Sequence, residues 1–210
     1  MPSPRAFYRD QYAATEQGGR GPEDELTFPL RIGAALRAIG PAPKRVLDFG
    51  CGTGASSRVL AEAGHVVTGV DASESGIRVA RRQVPEVTFH HLDSEADLPF
   101  SDHAFDACLC TEVIEHLLDV RGFVAEVHRV LTPGGLFVVT TPYHGWLKNL
   151  LVITLNFDRH FDPVGEHIRF FSRRSMTRCL TEGGFDVVQF GGIGRRWPVW
   201  KSMFVVARAR

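Results

Sequence analysis

The stretch that decides the fold of this chain reads RVLDFGCGTG and runs from Arg45 to Gly54. Val46, Leu47 and Phe49 form a short apolar run, which predicts a strand buried on both faces of a sheet. Three glycines at alternate positions follow, and glycine lets the backbone approach a ligand closely. A helix is predicted over residues 55–63. Strand, glycine loop and helix together predict a nucleotide-type site at the carboxyl edge of a parallel sheet.

The spacing of the loop distinguishes it from a dinucleotide fingerprint. The order is Asp-x-Gly-x-Gly-x-Gly, with Asp48 two residues before the first glycine, whereas dinucleotide sites use G-x-G-x-x-G. A carboxylate here repels a pyrophosphate and suits a cationic ligand. The motif resembles the first motif of the class I S-adenosylmethionine-dependent methyltransferases. That resemblance implies S-adenosylmethionine as cofactor, with its ammonium near Asp48 and its methionine part against Gly50, Cys51, Gly52 and Gly54.

Asp71 ends the second predicted strand, 17 residues after Gly54. A carboxylate about 20 positions beyond a glycine loop is the expected acceptor for two ribose hydroxyls, and Ala72 follows it in the same site. The alternative is that Asp71 caps the helix that comes next.

Further cofactor contacts follow from the resemblance alone. An acidic residue after the third strand, Asp93, is implied to accept from the adenine amine, with Ser94 and Asp97 as close competitors. Thr111 ends the fourth strand and borders the cofactor in the family.

One stretch of the first predicted helix resembles a sequence found in a narrower group of these methyltransferases. Leu30-Arg31-Ile32-Gly33 is similar to the Leu-Arg-Leu-Gly stretch of ubiquinone-biosynthesis O-methyltransferases. In that group the arginine helps to hold the cofactor carboxylate, so Arg31 is the candidate clamp. The alternative is an ordinary arginine on a helix surface.

A candidate metal site follows the fourth strand. Glu112, Glu115 and His116 are spaced i, i+3, i+4, so one helical face would hold all three. Two carboxylates and an imidazole suit Mg²⁺ or another divalent ion. The same pattern is assigned to metal in ubiquinone-biosynthesis O-methyltransferases and in small-RNA terminal methyltransferases. It also occurs in metal-free members, where these residues only pack at the cofactor edge.

Two histidines are candidate catalytic bases. His144 follows the fifth strand. His167 lies in a Gly-Glu-His triplet that resembles a Gly-x-His of the ubiquinone-pathway insertion, which implies either a base or a fourth metal ligand. The alternative is that both are packed or surface histidines.

The methyl acceptor is expected to be a small molecule, with a phenolic or other hydroxyl oxygen favoured over an amine nitrogen or an activated carbon. An enzyme is favoured over a cofactor-binding protein without catalysis.

Strands that alternate with helices predict an α/β fold, a doubly wound Rossmann-like sheet of seven strands with helices on both faces. The sheet is expected to be mostly parallel with an antiparallel C-terminal strand. A single methyltransferase domain is expected over residues 1–210, with an N-terminal arm or lid at 1–25 and a substrate-side insertion at 142–171.

The composition of the chain limits the kinds of partner that we expect it to bind. Lys plus Arg and Asp plus Glu are 24 each, so nothing favours nucleic-acid binding by phosphate neutralisation. With no apolar leader and no 18-residue apolar run, a cytoplasmic protein is expected. The apolar segment 146–155 is predicted to be a buried helix over the pocket, rather than a contact with a membrane surface. The sequence carries no signal for an oligomeric state.

Overall fold

The computed structural model describes residues 26–94, 97–155, 157 and 168–210. The predicted N-terminal arm at 1–25 lies outside the described residues, as does part of the predicted insertion. The single-domain boundaries stay a prediction.

Seven strands form one sheet, in the spatial order β3-β2-β1-β4-β5-β7-β6. Their bounds are Arg45–Phe49 (β1), Val66–Asp71 (β2), Thr88–His91 (β3), Phe105–Thr111 (β4), Leu131–Pro142 (β5), Phe185–Ile193 (β6) and Ser202–Ala209 (β7). The pairs among β1 to β5 are parallel, and β7 runs antiparallel to both β5 and β6. The predicted fold class is confirmed.

The described residues also form six α-helices and one 3₁₀ turn. Their bounds are Phe28–Ile39 (α1), Ala55–Glu62 (α2), Glu74–Gln83 (α3), Ile114–His116 (the 3₁₀ turn), Val120–Val130 (α4), Trp146–Leu155 (α5) and Arg173–Glu182 (α6). Ser73 caps α3 by accepting from the backbone N–H of Gly76, and Ser172 with Ser175 forms a capping box on α6. These polar caps satisfy backbone donors that the helices leave unpaired.

The core has two layers, one on each face of the sheet. Side chains of α1, α2 and α3 pack on one face, and those of α4 and α6 pack on the other. Alternate residues of β1 point to opposite layers, so Val46 joins the first cluster while Leu47 and Phe49 join the second. The predicted burial of β1 on both faces is confirmed.

The strand order reverses next to β1. From β1 the chain passes to β2 on one side, and β4 later pairs with the other side of β1. The carboxyl ends of β1 and β4 therefore flank a topological switch point, where open α/β sheets bind their ligands.

The pairing of β5 with β4 is irregular near its start. Residues 133–135 lie inside β5, where the residue paired with β4 shifts from Leu131 to Leu136. The backbone accommodates the intervening residues as an irregularity in the ladder, with Gly134 at φ +78°, and continues as one strand.

Two strand glycines provide a matched test of packing. A Cβ on Gly69 in β2 would lie 2.5 Å from Cδ1 of Phe89 and 3.0 Å from Sγ of Cys51. We therefore expect Gly69→Ala to lower the free energy of unfolding by about 1–3 kcal/mol through overpacking. A Cβ on Gly191 in β6 has no atom within 4 Å, so Gly191→Ala is expected to be neutral or stabilising by up to about 1 kcal/mol. Urea unfolding measures both, and equal effects would contradict this packing.

Candidate functional site

The glycine loop after β1 has a backbone that only glycine adopts readily. Gly50, Gly52 and Gly54 have φ values of +77°, +52° and +87°, in the left-handed region. A Cβ on Gly50 would overlap the side chain of Val113. The backbone N–H of Gly50 donates to the carbonyl of Val70 at 2.8 Å, which ties the loop to the end of β2. The predicted glycine turn is confirmed.

Asp48 is a buried carboxylate with one oxygen engaged and one available. Its side chain is 1% exposed, and the hydroxyls of Ser56 and Ser57 both donate to Oδ2 at 2.6 Å. Oδ1 is buried and has no hydrogen-bond partner among the described residues. A buried acceptor without a partner is costly, so this oxygen fits a cationic donor such as the ammonium of S-adenosylmethionine. Burial raises the pKa of Asp48 to about 6.

Asp71 connects β2 to the glycine loop. Its Oδ2 accepts from the backbone N–H of Gly52 at 2.8 Å, and its Oδ1 accepts from that of Ser73 at 2.7 Å. The cap of α3 is Ser73, so the alternative role of Asp71 as that cap was wrong. A carboxylate has about four acceptor positions, so two bonds to the backbone leave capacity for two ribose hydroxyls. Burial raises the pKa of Asp71.

The remaining predicted cofactor residues lie at the same edge of the sheet. Ala72 follows β2, and Asp93 and Ser94 come shortly after β3, all three exposed; Thr111 ends β4 and is half-buried. The side chain of Cys51 is buried, which leaves its backbone as the part that can face a ligand. Individual roles for these residues stay predictions.

Arg31 is buried in the protein. Its side chain is 4% exposed, and Nη1 donates to Oγ1 of Thr27 at 2.8 Å. Burial raises the pKa of Glu115 and the charge of Arg31 partly opposes that rise, so the guanidinium lies near Glu115. The alternative of a surface arginine was therefore wrong, whereas the role of Arg31 as carboxylate clamp stays a prediction.

The Glu-x-x-Glu-His segment does not form the helical face that its spacing allowed. Glu112 has φ +53° and precedes the 3₁₀ turn, so it lies outside the helical residues. Its Oε2 accepts from the hydroxyl of Ser202 at 3.1 Å. Oε2 of Glu115 accepts from the hydroxyl of Thr141 at 2.9 Å, and its Oε1 lies 3.9 Å from Nε2 of His116.

Burial and the charge of Glu112 raise the pKa of Glu115. Within the described ranges, no group of three or more His, Cys, Asp or Glu side chains is arranged to hold a metal ion. The side chains of Glu112, Glu115 and His116 as placed do not fit the predicted divalent ion, so the structure gives no support to that prediction.

His144 lies just after β5, beside the other site elements. It is 5% exposed, its backbone N–H donates to the carbonyl of Phe171 at 3.0 Å, and its ring lies edge-on to Phe170 at 5.0 Å. Nδ1 is 3.3 Å from Oδ1 of Asn149. This places an oriented imidazole at the carboxyl edge of the sheet. His167 lies outside the described residues.

The sequence analysis missed several residues whose side chains hydrogen-bond to predicted site residues, among them Ser56, Ser57, Thr141 and Asn149. Two serines at the start of a helix that follows a glycine loop were a usable signal, since short polar side chains there reach back toward the preceding strand. Thr141 and Asn149 carried no local signal, because their partners are distant in sequence or in a different element.

The prediction that segment 146–155 is buried was wrong. The segment is helical, but none of the ten residues of α5, all of them described, is buried. An apolar sequence indicates a helix surface that tends to be removed from water. It does not say which part of the protein, or which partner, packs against that surface. No helix within the described residues is long and apolar enough to cross a membrane.

Known proteins share this fold and these motifs. A family model described as a methyltransferase domain matches residues 24–190. The chain is 32% identical over 172 residues to a ubiquinone biosynthesis O-methyltransferase of Aromatoleum aromaticum, covering 79% of this chain and 74% of that protein. It is 39% identical over 110 residues to a demethylmenaquinone methyltransferase of Tropheryma whipplei, covering 50% of this chain. The match spans only 45% of that second relative.

A solved structure extends the likeness to the whole chain. The 1,6-didemethyltoxoflavin-N1-methyltransferase of Burkholderia thailandensis, with its substrate and S-adenosylhomocysteine bound, has a TM-score of 0.74 at 20% identity, covering 100% of this chain and 91% of that one. At that identity the likeness concerns the fold. The chain therefore belongs to the methyltransferase domain family and is a class I S-adenosylmethionine-dependent methyltransferase.

The raised pKa of Asp48 predicts how cofactor affinity depends on pH. An ammonium ligand favours the ionised carboxylate, which is lost as pH falls through about 6. We expect the Kd of S-adenosylhomocysteine to rise by up to about tenfold per pH unit below that point, because binding must release the proton. Calorimetry between pH 5 and 8 measures it. Asp48→Asn should bind weakly and with a flatter pH profile, and an unchanged profile in that variant would contradict the assignment.

The two serines predict a second effect on the same carboxylate. Both hydroxyl hydrogen bonds lower the pKa of Asp48, so Ser56→Ala/Ser57→Ala should move the pH midpoint of binding upward. The affinity loss is expected to be large near pH 7 and to shrink in more alkaline buffer, where the carboxylate is ionised without help. In a double-mutant cycle, adding Ser56→Ala/Ser57→Ala to Asp48→Asn should have little further effect on affinity. Additive losses of affinity would show that the serines do not act through Asp48.

Proposed function

We propose that this protein transfers a methyl group from S-adenosylmethionine to a hydroxyl oxygen of a small molecule. A phenol is the preferred acceptor. The O-methyltransferase named among its relatives supports the choice of oxygen. The observation that carries the proposal is His144, a buried imidazole held at the carboxyl edge of the sheet, beside the cofactor site.

The cofactor site is proposed to be assembled from the ends of four elements. Asp48 takes the ammonium through Oδ1, Arg31 takes the carboxylate, Asp71 takes the ribose hydroxyls, and Asp93 with Ser94 lies at the adenine. When bound, S-adenosylmethionine supplies a methyl group on a positively charged sulfur. The remaining task of the protein is to align the acceptor, exclude water and remove one proton.

His144 is proposed as the base that removes this proton. The amide oxygen of Asn149 can only accept a hydrogen bond, so Nδ1 of His144 carries its hydrogen at that contact and Nε2 carries the basic lone pair. The acceptor's hydroxyl proton would pass to Nε2 while its oxygen bonds to the methyl carbon. The bond from that carbon to the cofactor sulfur would break at the same time, and its electron pair would leave a neutral thioether, S-adenosylhomocysteine. Asn149 and Phe170 fix the plane of the ring, which keeps Nε2 oriented.

The matching assay measures methyl transfer from labelled S-adenosylmethionine over a panel of phenols, aliphatic alcohols and amines. Turnover of phenols supports the proposal. Turnover of amines alone would replace it by N-methylation, the activity named for the solved structure with the same fold. Retained S-adenosylhomocysteine binding with no turnover on any acceptor would instead favour a cofactor-binding protein without catalysis.

His144→Ala tests the base directly. We expect kcat to fall on the order of 10²–10⁴-fold, while the Kd of S-adenosylhomocysteine stays within a factor of about two of the wild-type value, since the ring does not hold the cofactor. Asn149→Ala should reduce kcat less, because it only orients the ring.

His128→Ala is the matched control, because that imidazole packs edge-on against Phe185 on the α4 side of the sheet. It should retain kcat. Near-normal kcat in His144→Ala would remove this residue from the mechanism.

A further inference from the structure

All three tryptophans of the chain fall in two short segments of one surface. Trp146 begins α5, and Trp197 and Trp200 lie in the loop 194–201 between β6 and β7. We call α5 and this loop together the tryptophan face. The proposed methyl transfer uses neither segment except for Asn149.

Contacts join the two segments. Nζ of Lys148 donates to the carbonyl of Lys201 at 3.3 Å. The ring of Tyr143, just before α5, lies 5.3 Å from that of Trp200, and its backbone N–H donates to the same carbonyl of Lys201. Burial, followed by the charges of Arg195 and Lys201, lowers the pKa of Lys148 to about 8. The helix and the loop therefore form one continuous surface.

The surface exposes large apolar side chains. Trp146 is 79% exposed, Leu155 80% and Trp197 72%. Between them on α5, Leu150, Leu151 and Ile153 are each about half exposed, at 50%, 46% and 52%. A contiguous exposed apolar patch of this kind is typical of an interaction site.

The charged residues of the tryptophan face are all basic. It holds Lys148, Arg195, Arg196 and Lys201 and contains no aspartate or glutamate, in a chain whose basic and acidic residues balance at 24 each. Arg195, Arg196 and Lys201 are exposed, and Lys148 is half-buried. A partner for this surface should therefore be both apolar and anionic.

An anionic lipid surface has both properties. Tryptophan favours the boundary between headgroups and acyl chains, and basic side chains are attracted to anionic headgroups. The ten residues of α5 extend about 15 Å, half of the roughly 30 Å that a spanning helix must cross. Such a helix lies in the plane of the interface. A second copy of the chain fits less well, because a symmetric contact sets the four basic residues against each other.

We propose that the tryptophan face docks the protein on the surface of an anionic phospholipid bilayer, with α5 lying in the interface. Docking is independent of the proposed methyl transfer and is tested by binding alone. Because α5 begins two residues after His144, docking would also bring the carboxyl edge of the sheet close to the lipid.

Cosedimentation with lipid vesicles tests the proposal. The full chain should bind vesicles of phosphatidylcholine mixed with phosphatidylglycerol, bind phosphatidylcholine alone much more weakly, and dissociate as salt is raised. Arg195→Glu/Arg196→Glu should lower the partition coefficient roughly 30-fold or more, since each basic residue near the surface contributes about fivefold. Leu150→Glu/Ile153→Glu should abolish binding, because these two residues and Trp146 are spaced i, i+4, i+7 along one face of α5, so the change places two charges on that apolar face.

Two surface variants away from this face serve as controls. Arg174→Glu on α6 and Val188→Glu on β6 change exposed residues of the same kinds and should bind vesicles as the wild type does. Circular dichroism of every variant checks folding. Absence of wild-type binding to anionic vesicles would overturn the proposal. A wild-type chain that binds no vesicles and instead forms a concentration-dependent dimer, which Leu150→Glu/Ile153→Glu dissociates, would also overturn it.

Discussion

The proposed cofactor site depends most on a single buried carboxylate. Asp48 is held on a central strand by two serine hydroxyls on one oxygen, and its other oxygen is buried without a partner among the described residues. An unsatisfied acceptor in the interior costs free energy, and burial already disfavours its charge. We propose that a cation in the adjoining loop offsets this cost, as the ammonium of S-adenosylmethionine would. On that proposal, the site differs from a pyrophosphate site in the sign of the charge that it accepts.

The sheet supplies the rest of the site through its topology. Because β1 to β5 are parallel, their carboxyl ends meet at one edge, and residues far apart in sequence become neighbours. Asp71 lies at the end of β2 and His144 just after β5. Three glycines of the loop after β1 have positive φ, and without Cβ atoms their backbone can come close to a ligand. A ligand can therefore lie across the switch point.

The sequence predicted what is local and missed what depends on packing. The glycine loop, the doubly wound class of the sheet and the place of Asp71 at the end of β2 follow from the alternation and spacing of residues along the sequence. The serine bonds to Asp48 depend on how α2 rotates against β1, which no local pattern encodes. Burial of Arg31 and exposure of α5 depend on which surfaces other elements cover. The Glu-x-x-Glu-His spacing failed as a helical face because Glu112 adopts a left-handed conformation before a 3₁₀ turn that is too short to include it.

The most direct test of the central claim is a crystal structure of the protein with S-adenosylhomocysteine. The account predicts an ammonium within hydrogen-bond distance of Oδ1 of Asp48 and both ribose hydroxyls on the carboxylate of Asp71. A loop that stays empty at saturating ligand, or that accepts NAD with its pyrophosphate on the glycines, would contradict it.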